Sequence, residues 1–389
     1  MSANAVLSPG PRPNRPTPER ASQMVHLIRE SWAGVEARSD EVARFFYAML
    51  FSIAPHTREL FAANMESQRD RLMRALVHII QMIDRPDDLL PFLHQLGRDH
   101  RKFGVVSTHY EAVGTALLAA IKKHSGPHWT QQVERAWAEA YTVLATAMIS
   151  AANEDNGPAW YDGEVIGHTR LTRDLAVIRV QTDYPVPYHP GQYVSVEVPQ
   201  RPRLWRYLTP ANQPGDDGVL EFHVRTVEGG WVSRALVGHA QRGDRWRIGS
   251  PMGQLHVDRE NERDVLMIAG GTGLAPMRSI VEDLAQYGEN PQVRLYYGGR
   301  TREDLYDLAN LQRVAMTNPW FTVTPVLEDD QAATGAEQGT LAEAVARHDW
   351  SRHEVLISGS PAMVRATVSK LLITGVPLDQ IHYDPFALD

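Results

Sequence analysis

The sequence predicts a multidomain chain: an all-α section, then a small antiparallel β-barrel, then an α/β domain with a parallel sheet. Three observations carry this. At 389 residues the chain is long enough for two or three domains. The apolar period is helical up to about residue 152 and gives way to short β-rich runs from Trp160. The stretch Val265-Leu-Met-Ile-Ala-Gly-Gly-Thr-Gly-Leu-Ala-Pro-Met277 reads as an apolar strand, a glycine-rich bend and a helix start.

Residues 1–18 are proline-rich and lack the apolar core of a signal peptide, so they read as a disordered lead. Residues 19–152 form the helical domain. Leu72, Ala75, Leu76, Ile79, Ile80 and Ile83 keep a 3.6 period, and so do Val133, Ala136, Trp137, Ala140, Val143, Leu144, Ala147 and Met148. Residues 153–159 read as a linker through Asn153-Glu-Asp-Asn-Gly-Pro158. Residues 160–262 carry the runs Leu175–Gln181, Tyr193–Val198, Val219–Thr226 and Arg245–Ile248, broken by Pro/Gly/Asp turns, which predicts the barrel. In residues 263–389, strands at Val265–Ala269, Val293–Tyr297, Phe321–Val326 and Val355–Ser358 alternate with helices at Met277–Gln286 and Pro361–Ile373. That alternation predicts a parallel sheet covered on both faces.

Composition narrows the function. Net charge is −8, which argues against a polyanion such as nucleic acid as partner. No apolar run approaches the length of a membrane span, so a cytoplasmic location is expected. The chain has no cysteine. Disulfides, thiolate-ligated haem, covalent c-type haem and cysteine-ligated iron–sulfur clusters are therefore excluded. The Gly270–Pro276 bend offers bare backbone N–H groups at a helix start, the arrangement that receives a pyrophosphate.

Four motifs occur in order: Pro190-Gly-Gln-Tyr193, Arg206-Tyr-Leu-Thr-Pro-Ala-Asn212, Gly270–Pro276 and Ser358-Gly-Ser-Pro-Ala-Met363. Together they resemble the ferredoxin–NADP reductase superfamily, a flavin-binding barrel followed by a nicotinamide-binding domain. The resemblance implies FAD contacts at Tyr193, Arg206, Leu208, Thr209 and Ser233, the last in the turn Gly229-Gly-Trp-Val-Ser233. It implies nicotinamide contacts at Gly270, Gly271, Thr272, Gly273, Pro276 and Ser358, and an aromatic near the flavin at Phe386. Leu208 stands where the motif has tyrosine, unless the register slips by one and Tyr207 fills the role. Ser358 stands where relatives have cysteine. In Tyr297–Tyr306, Glu303 and Asp304 disfavour a 2′-phosphate whereas Arg300 and Arg302 accept one, which favours NADH over NADPH.

A flavin that takes a hydride needs an acceptor for its electrons, and without cysteine a non-covalent haem on histidine remains. Leu89, Leu93, Leu96, His100 and Phe103 place His100 on the apolar stripe of a helix, as a satisfied core residue or as a ligand. Residues 19–152 resemble the globin domain of flavohaemoglobins, and the order of the two halves matches that family. The resemblance implies haem b on His100 as the iron ligand, Phe61 stacked on the haem, and Leu72 covering the bound ligand. It further implies Tyr47 and Gln68 bonding bound dioxygen, and Tyr110 on the proximal side. The family's glutamate late in the last helix is Ala152 here, a departure that resembles a divergent, type II branch.

The implied activity is transfer of electrons from NADH through FAD to a haem that binds O₂ and turns nitric oxide over to nitrate, weakened by these departures. Three alternatives remain: another small reductant such as D-lactate, a non-enzymatic haem gas or redox sensor, and a plain flavin reductase. The oligomeric state is not legible.

Overall fold

The structure is a computed structural model that describes residues 18–261, 263–330 and 334–384. The proline-rich lead and Phe386 therefore lie outside the described residues, apart from Pro18. The chain divides into two units, Met1–Asn156 and Gly157–Asp389. Among the described residues no helix is long and apolar enough to cross a membrane.

Among the described residues the first unit holds six α-helices: α1 (Pro18–Ala33), α2 (Ser39–Ile53), α3 (Glu66–Met82), α4 (Pro86–His100), α5 (Ser107–Ser125) and α6 (Gln131–Glu154). Most residues that set the helical period are buried or half-buried, whereas Val143 is 61% exposed. Ile28, Trp32, Phe46, Tyr47, Leu50, Leu76, Ile121 and Trp137 form one cluster. Ile79, Met82, Leu89 and Leu93 form a second, which draws in Met148 and carries the stripe of α4. A Cβ on Gly97 would run into the Met148 backbone, so only glycine lets α4 and α6 approach this closely. Farther along both helices, Arg101 pairs with Asp155 at 2.6 Å. Both contacts join the end of α4 and its following turn to the C-terminal part of α6.

The second unit opens with β1 (Tyr161–Arg170), β2 (Leu175–Thr182), β3 (Val194–Val198), β4 (Arg201–Leu208), β5 (Val219–Arg225), α7 (Trp231–His239) and β6 (Arg245–Ile248). The antiparallel sheet runs β4-β3-β6-β1-β2-β5. Its edges approach through a bridge between Pro210 and Phe222, making a partly closed barrel. Sequence reading missed β1 and β4: Tyr161–Arg170 and Arg201–Leu208 are too rich in charge to show an alternating apolar face.

The α/β part comprises β7 (Val265–Gly270), α8 (Leu274–Leu284), β8 (Val293–Gly299), α9 (Leu308–Thr317), β9 (Phe321–Leu327) and β10 (Glu337–Gln338). It continues with α10 (Leu341–Val345), β11 (Glu354–Ser358), α11 (Pro361–Ile373) and β12 (Ile381–His382). Helix α8 starts at Leu274, three residues before the expected Met277, and Pro276 fits its first turn, where no N–H is needed. The parallel order is β10-β9-β8-β7-β11-β12. Val265, Met267 and Ala269 pack toward α8 and α9, whereas Leu266 and Ile268 pack toward α10 and α11. Both faces are thus covered, and the strand order reverses between β7 and β11, the switch point where such sheets bind ligands.

A charged seam joins barrel to sheet. Arg278 on α8 donates to Glu221 of β5 at 2.5 Å and meets Glu282 at 3.0 Å. His223, its side chain almost wholly buried, has Nε2 2.9 Å from Arg278 Nη1 and Nδ1 2.8 Å from the Tyr306 hydroxyl. A hydrogen bond from His223, and then Arg278, hold the Glu221 carboxyl down to about 2. Arg225 adds a bond to Asp304 at 2.8 Å.

Breaking such a pair from one side leaves a partly buried charge without its partner. Arg278→Gln is expected to destabilise the second unit by about 2–3 kcal/mol. Adding Glu221→Gln should cost less than the sum of the two single changes, a coupling that urea unfolding of the four members of the cycle measures.

Candidate functional site

On the first unit the sequence-predicted residues converge. Tyr47 on α2 is 6% exposed and meets Phe61 edge-to-face at 5.4 Å. Burial pushes its phenol up to about 12, and a hydrogen bond from Gln68 on α3 works against that rise. The phenol therefore stays protonated and able to donate. Leu72, one turn after Gln68, packs on the same core. Tyr47, Phe61, Gln68 and Leu72 thus make one polar-and-aromatic cluster.

His100 ends α4. Its Nδ1 lies 2.7 Å from the Leu96 carbonyl oxygen. A carbonyl only accepts, so Nδ1 carries the proton and Nε2 keeps its lone pair. Burial pushes the imidazole pKa down, which holds the ring neutral. A neutral histidine with a free Nε2 lone pair and an anchored Nδ1–H is the donor a haem iron takes, so the residues fit the group. The following turn is pinned by Lys102–Asp99 at 2.5 Å and by the Arg101–Asp155 pair.

The Nδ1 donor is spent on a backbone carbonyl, and the Tyr110 carbonyl accepts from the Tyr141 hydroxyl. Glu154, two residues past Ala152, lies on the exposed face and accepts from Ser150 at 2.9 Å.

In the second unit the two nicotinamide motifs interlock at the switch point. Gly271 has φ +55°, a left-handed value that suits glycine, and nothing crowds its Cβ position. A Cβ on Gly273 would run into the Ser358 carbonyl, and one on Gly359 into Met363, which also lies against Gly270. Glycines here keep the backbone bare where a pyrophosphate would reach the start of α8, so the loop fits a dinucleotide.

The flavin motifs divide between two faces of β4. Val194 pairs with Leu208 and Val196 with Arg206, so Arg206 and Leu208 share a face and Tyr207 lies opposite. Leu208 is half-buried against the barrel core. Tyr207, 42% exposed, meets Tyr193 edge-to-face at 5.0 Å. Arg206 donates from Nη1 to the Trp205 carbonyl, and Thr209 is half-buried. Ser233 accepts from the Val227 amide at 3.1 Å and so shapes the turn before α7. A planar donor at Arg206 and a glycine turn opening a helix suit the pyrophosphate of FAD.

Two sets of contacts escaped the sequence reading. Asp304, read as disfavouring a 2′-phosphate, accepts from the Arg300 and Thr301 amides at 3.0 and 3.1 Å and pairs with Arg225, while Arg300 pairs with Asp329 at 2.9 Å. Glu303 and Arg302 remain exposed. The second is Asp384, 4% exposed, whose carboxylate accepts from the Gln254 amide. It lies against Gly253, where an added Cβ would also press on the Tyr193 ring.

Burial pushes the Asp384 carboxyl up from 3.8 to about 7. A raised acid favours folding fully below its unfolded pKa and loses that favour as pH rises toward the folded value. Asp384→Asn should therefore match wild type near pH 4 and gain stability up to about pH 7. The gain should level off above that, at on the order of 2–4 kcal/mol. Thermal midpoints between pH 4 and 8 check this; parallel curves would contradict it.

Three family models match in succession: Globin over residues 44–148, Oxidoreductase FAD-binding domain over 162–257 and Oxidoreductase NAD-binding domain over 267–369. The reductase component of the naphthalene 1,2-dioxygenase system of Pseudomonas putida is 32% identical, covering 58% of this chain and 68% of that protein. A flavohemoprotein of Bacillus subtilis is 23% identical over 94% of this chain and 97% of its own. The fold superposes on a flavohemoglobin from Malassezia yamatoensis, solved with bound FAD and haem, with TM-score 0.79 and 18% identity over 93% of this chain and 98% of that one. A ferredoxin reductase of carbazole 1,9a-dioxygenase gives TM-score 0.54 and 30% identity over 60% of this chain and 71% of that one. The chain therefore belongs to the ferredoxin–NAD(P) reductase family in its flavohaemoprotein form, a globin joined to an FAD- and NAD-binding oxidoreductase, with haem, FAD and a nicotinamide dinucleotide as cofactors.

Proposed function

We propose that this protein takes electrons from NADH and uses them at a His100-ligated haem to consume nitric oxide with dioxygen, at a lower rate than a relative with a proximal carboxylate. The observation that carries this is the Tyr47–Gln68 hydrogen bond in the same helical unit as a neutral His100. When bound, FAD turns a hydride into single electrons and haem binds diatomic gases. Tyr47, kept protonated, donates to negative charge developing on the distal side, and Gln68 holds its hydroxyl in place. Phe61 and Leu72 exclude water there. His100 fixes the iron, and its bond to the Leu96 carbonyl keeps the imidazole neutral and weakly donating. Gly270–Pro276 and Ser358 position the nicotinamide, and Arg206, Thr209 and the turn ending at Ser233 position the flavin. The exposed Glu303 favours NADH, since a 2′-phosphate beside it meets like charge.

The test is the visible spectrum of the purified protein under anaerobic conditions. NADH should bleach the flavin band and shift the Soret band, and His100→Ala should keep the first change and lose the second. Reduction by D-lactate with none by NADH would reassign the donor; a wild type without a Soret band after haem addition would leave a flavin reductase.

The proximal argument is checked separately. Ala152→Glu supplies the carboxylate that the family resemblance implies late in the last helix, and the Fe–His stretching frequency should rise. Nitric oxide consumption should rise with it by about tenfold, the scale of second-shell changes at metal ligands. An unchanged frequency would refute the account of weak proximal donation.

A further inference from the structure

Trp231 is the first residue of α7 and follows directly on the Gly229–Gly230 turn. It is 69% exposed, which is unusual for the largest apolar side chain, and Val227 beside it is 63% exposed. One face of its ring is backed by Arg201, with the guanidinium 5.9 Å from the ring centroid. Arg201 is itself pinned by donation from Nη1 to the Gln200 carbonyl at 2.7 Å. The turn is equally fixed, by the bond from the Val227 amide to the Ser233 hydroxyl and by the Gly230 amide on the Val227 carbonyl. An indole held rigid, backed by a cation and open on its other face is a stacking platform for a flat π-system.

We infer that Trp231 stacks the adenine ring of FAD and thereby selects FAD over FMN. The turn that opens α7 suits the FAD pyrophosphate, and adenine hangs from that group by a single ribose. A ring at the first helical residue is within that reach. FMN ends at its phosphate and has nothing to place on Trp231. The adenine of the nicotinamide cofactor binds the α/β part and does not need this residue.

The full-length apoprotein, stripped of flavin, is titrated with FAD, FMN and NAD⁺ and read by flavin and tryptophan fluorescence. Trp231→Ala should weaken FAD about tenfold, the usual effect of one lost base–aromatic stack, and leave FMN and NAD⁺ affinities unchanged. Trp231→Phe should keep most of the FAD affinity, and Arg201→Gln should fall between. ADP should quench wild-type tryptophan emission more than that of Trp231→Phe, a readout that survives even if the alanine variant misfolds. Equal FAD affinity in wild type and Trp231→Ala overturns the platform, as does equal weakening of FAD and FMN. A wild type that held FMN as tightly as FAD would instead overturn the premise that FAD is the selected flavin.

Discussion

The reductase unit depends on the contact between Arg278 and the Glu221–His223 pair. Helix α8 has two duties at different points along its length. Its start forms the bare glycine loop, and one turn later Arg278 fastens the helix to β5 of the barrel. A partly buried carboxylate and guanidinium tolerate little relative movement, because each loses a strong compensation for leaving water when the other shifts. The seam therefore fixes the direction in which the glycine loop faces relative to the barrel. Arg225 and Asp304 repeat the arrangement at the next turn of chain, and Tyr306 closes the remaining hydrogen-bonding position on His223.

In the helical unit the controlling choice is what His100 bonds to. A backbone carbonyl is a weaker acceptor than a carboxylate, so the imidazole keeps its Nδ1 proton. The carboxylates close in sequence have other duties. Asp155 meets Arg101, Asp99 meets Lys102 and Glu154 meets Ser150. Elsewhere in the unit Tyr47 and Gln68 form a polar pair within the aromatic core.

Much of this was legible because it is written in local periodicity. The stripe through Leu89, Leu93 and His100 marked the amphipathic helix α4, and the alternation of apolar runs and glycine bends marked the parallel sheet. What escaped depends on pairing at a distance. The place of Leu208 is decided by its register with Val194, after a distortion in which residues 202–205 oppose Glu197 alone and Arg203 turns left-handed. No local pattern announces that. Glu221 and Arg278 look like ordinary surface charges in the sequence, and their burial follows only from two parts meeting. Asp384 reads as a solvated acid until Gly253 and Tyr193 close around it.

The glycines of the switch point carry a consequence for inheritance. Gly270 and Gly273 are in contact with Ser358, Gly359 and Met363, segments almost ninety residues apart in the chain. A change of size in one motif has no slack to absorb it in the other. The two short motifs are therefore a single matched part, and variation in them has to be paired. A chimaera that exchanges one and keeps the other would join surfaces shaped for different neighbours. Recombination between relatives can cut this chain at the segment joining its two units, but not between Gly270 and Met363.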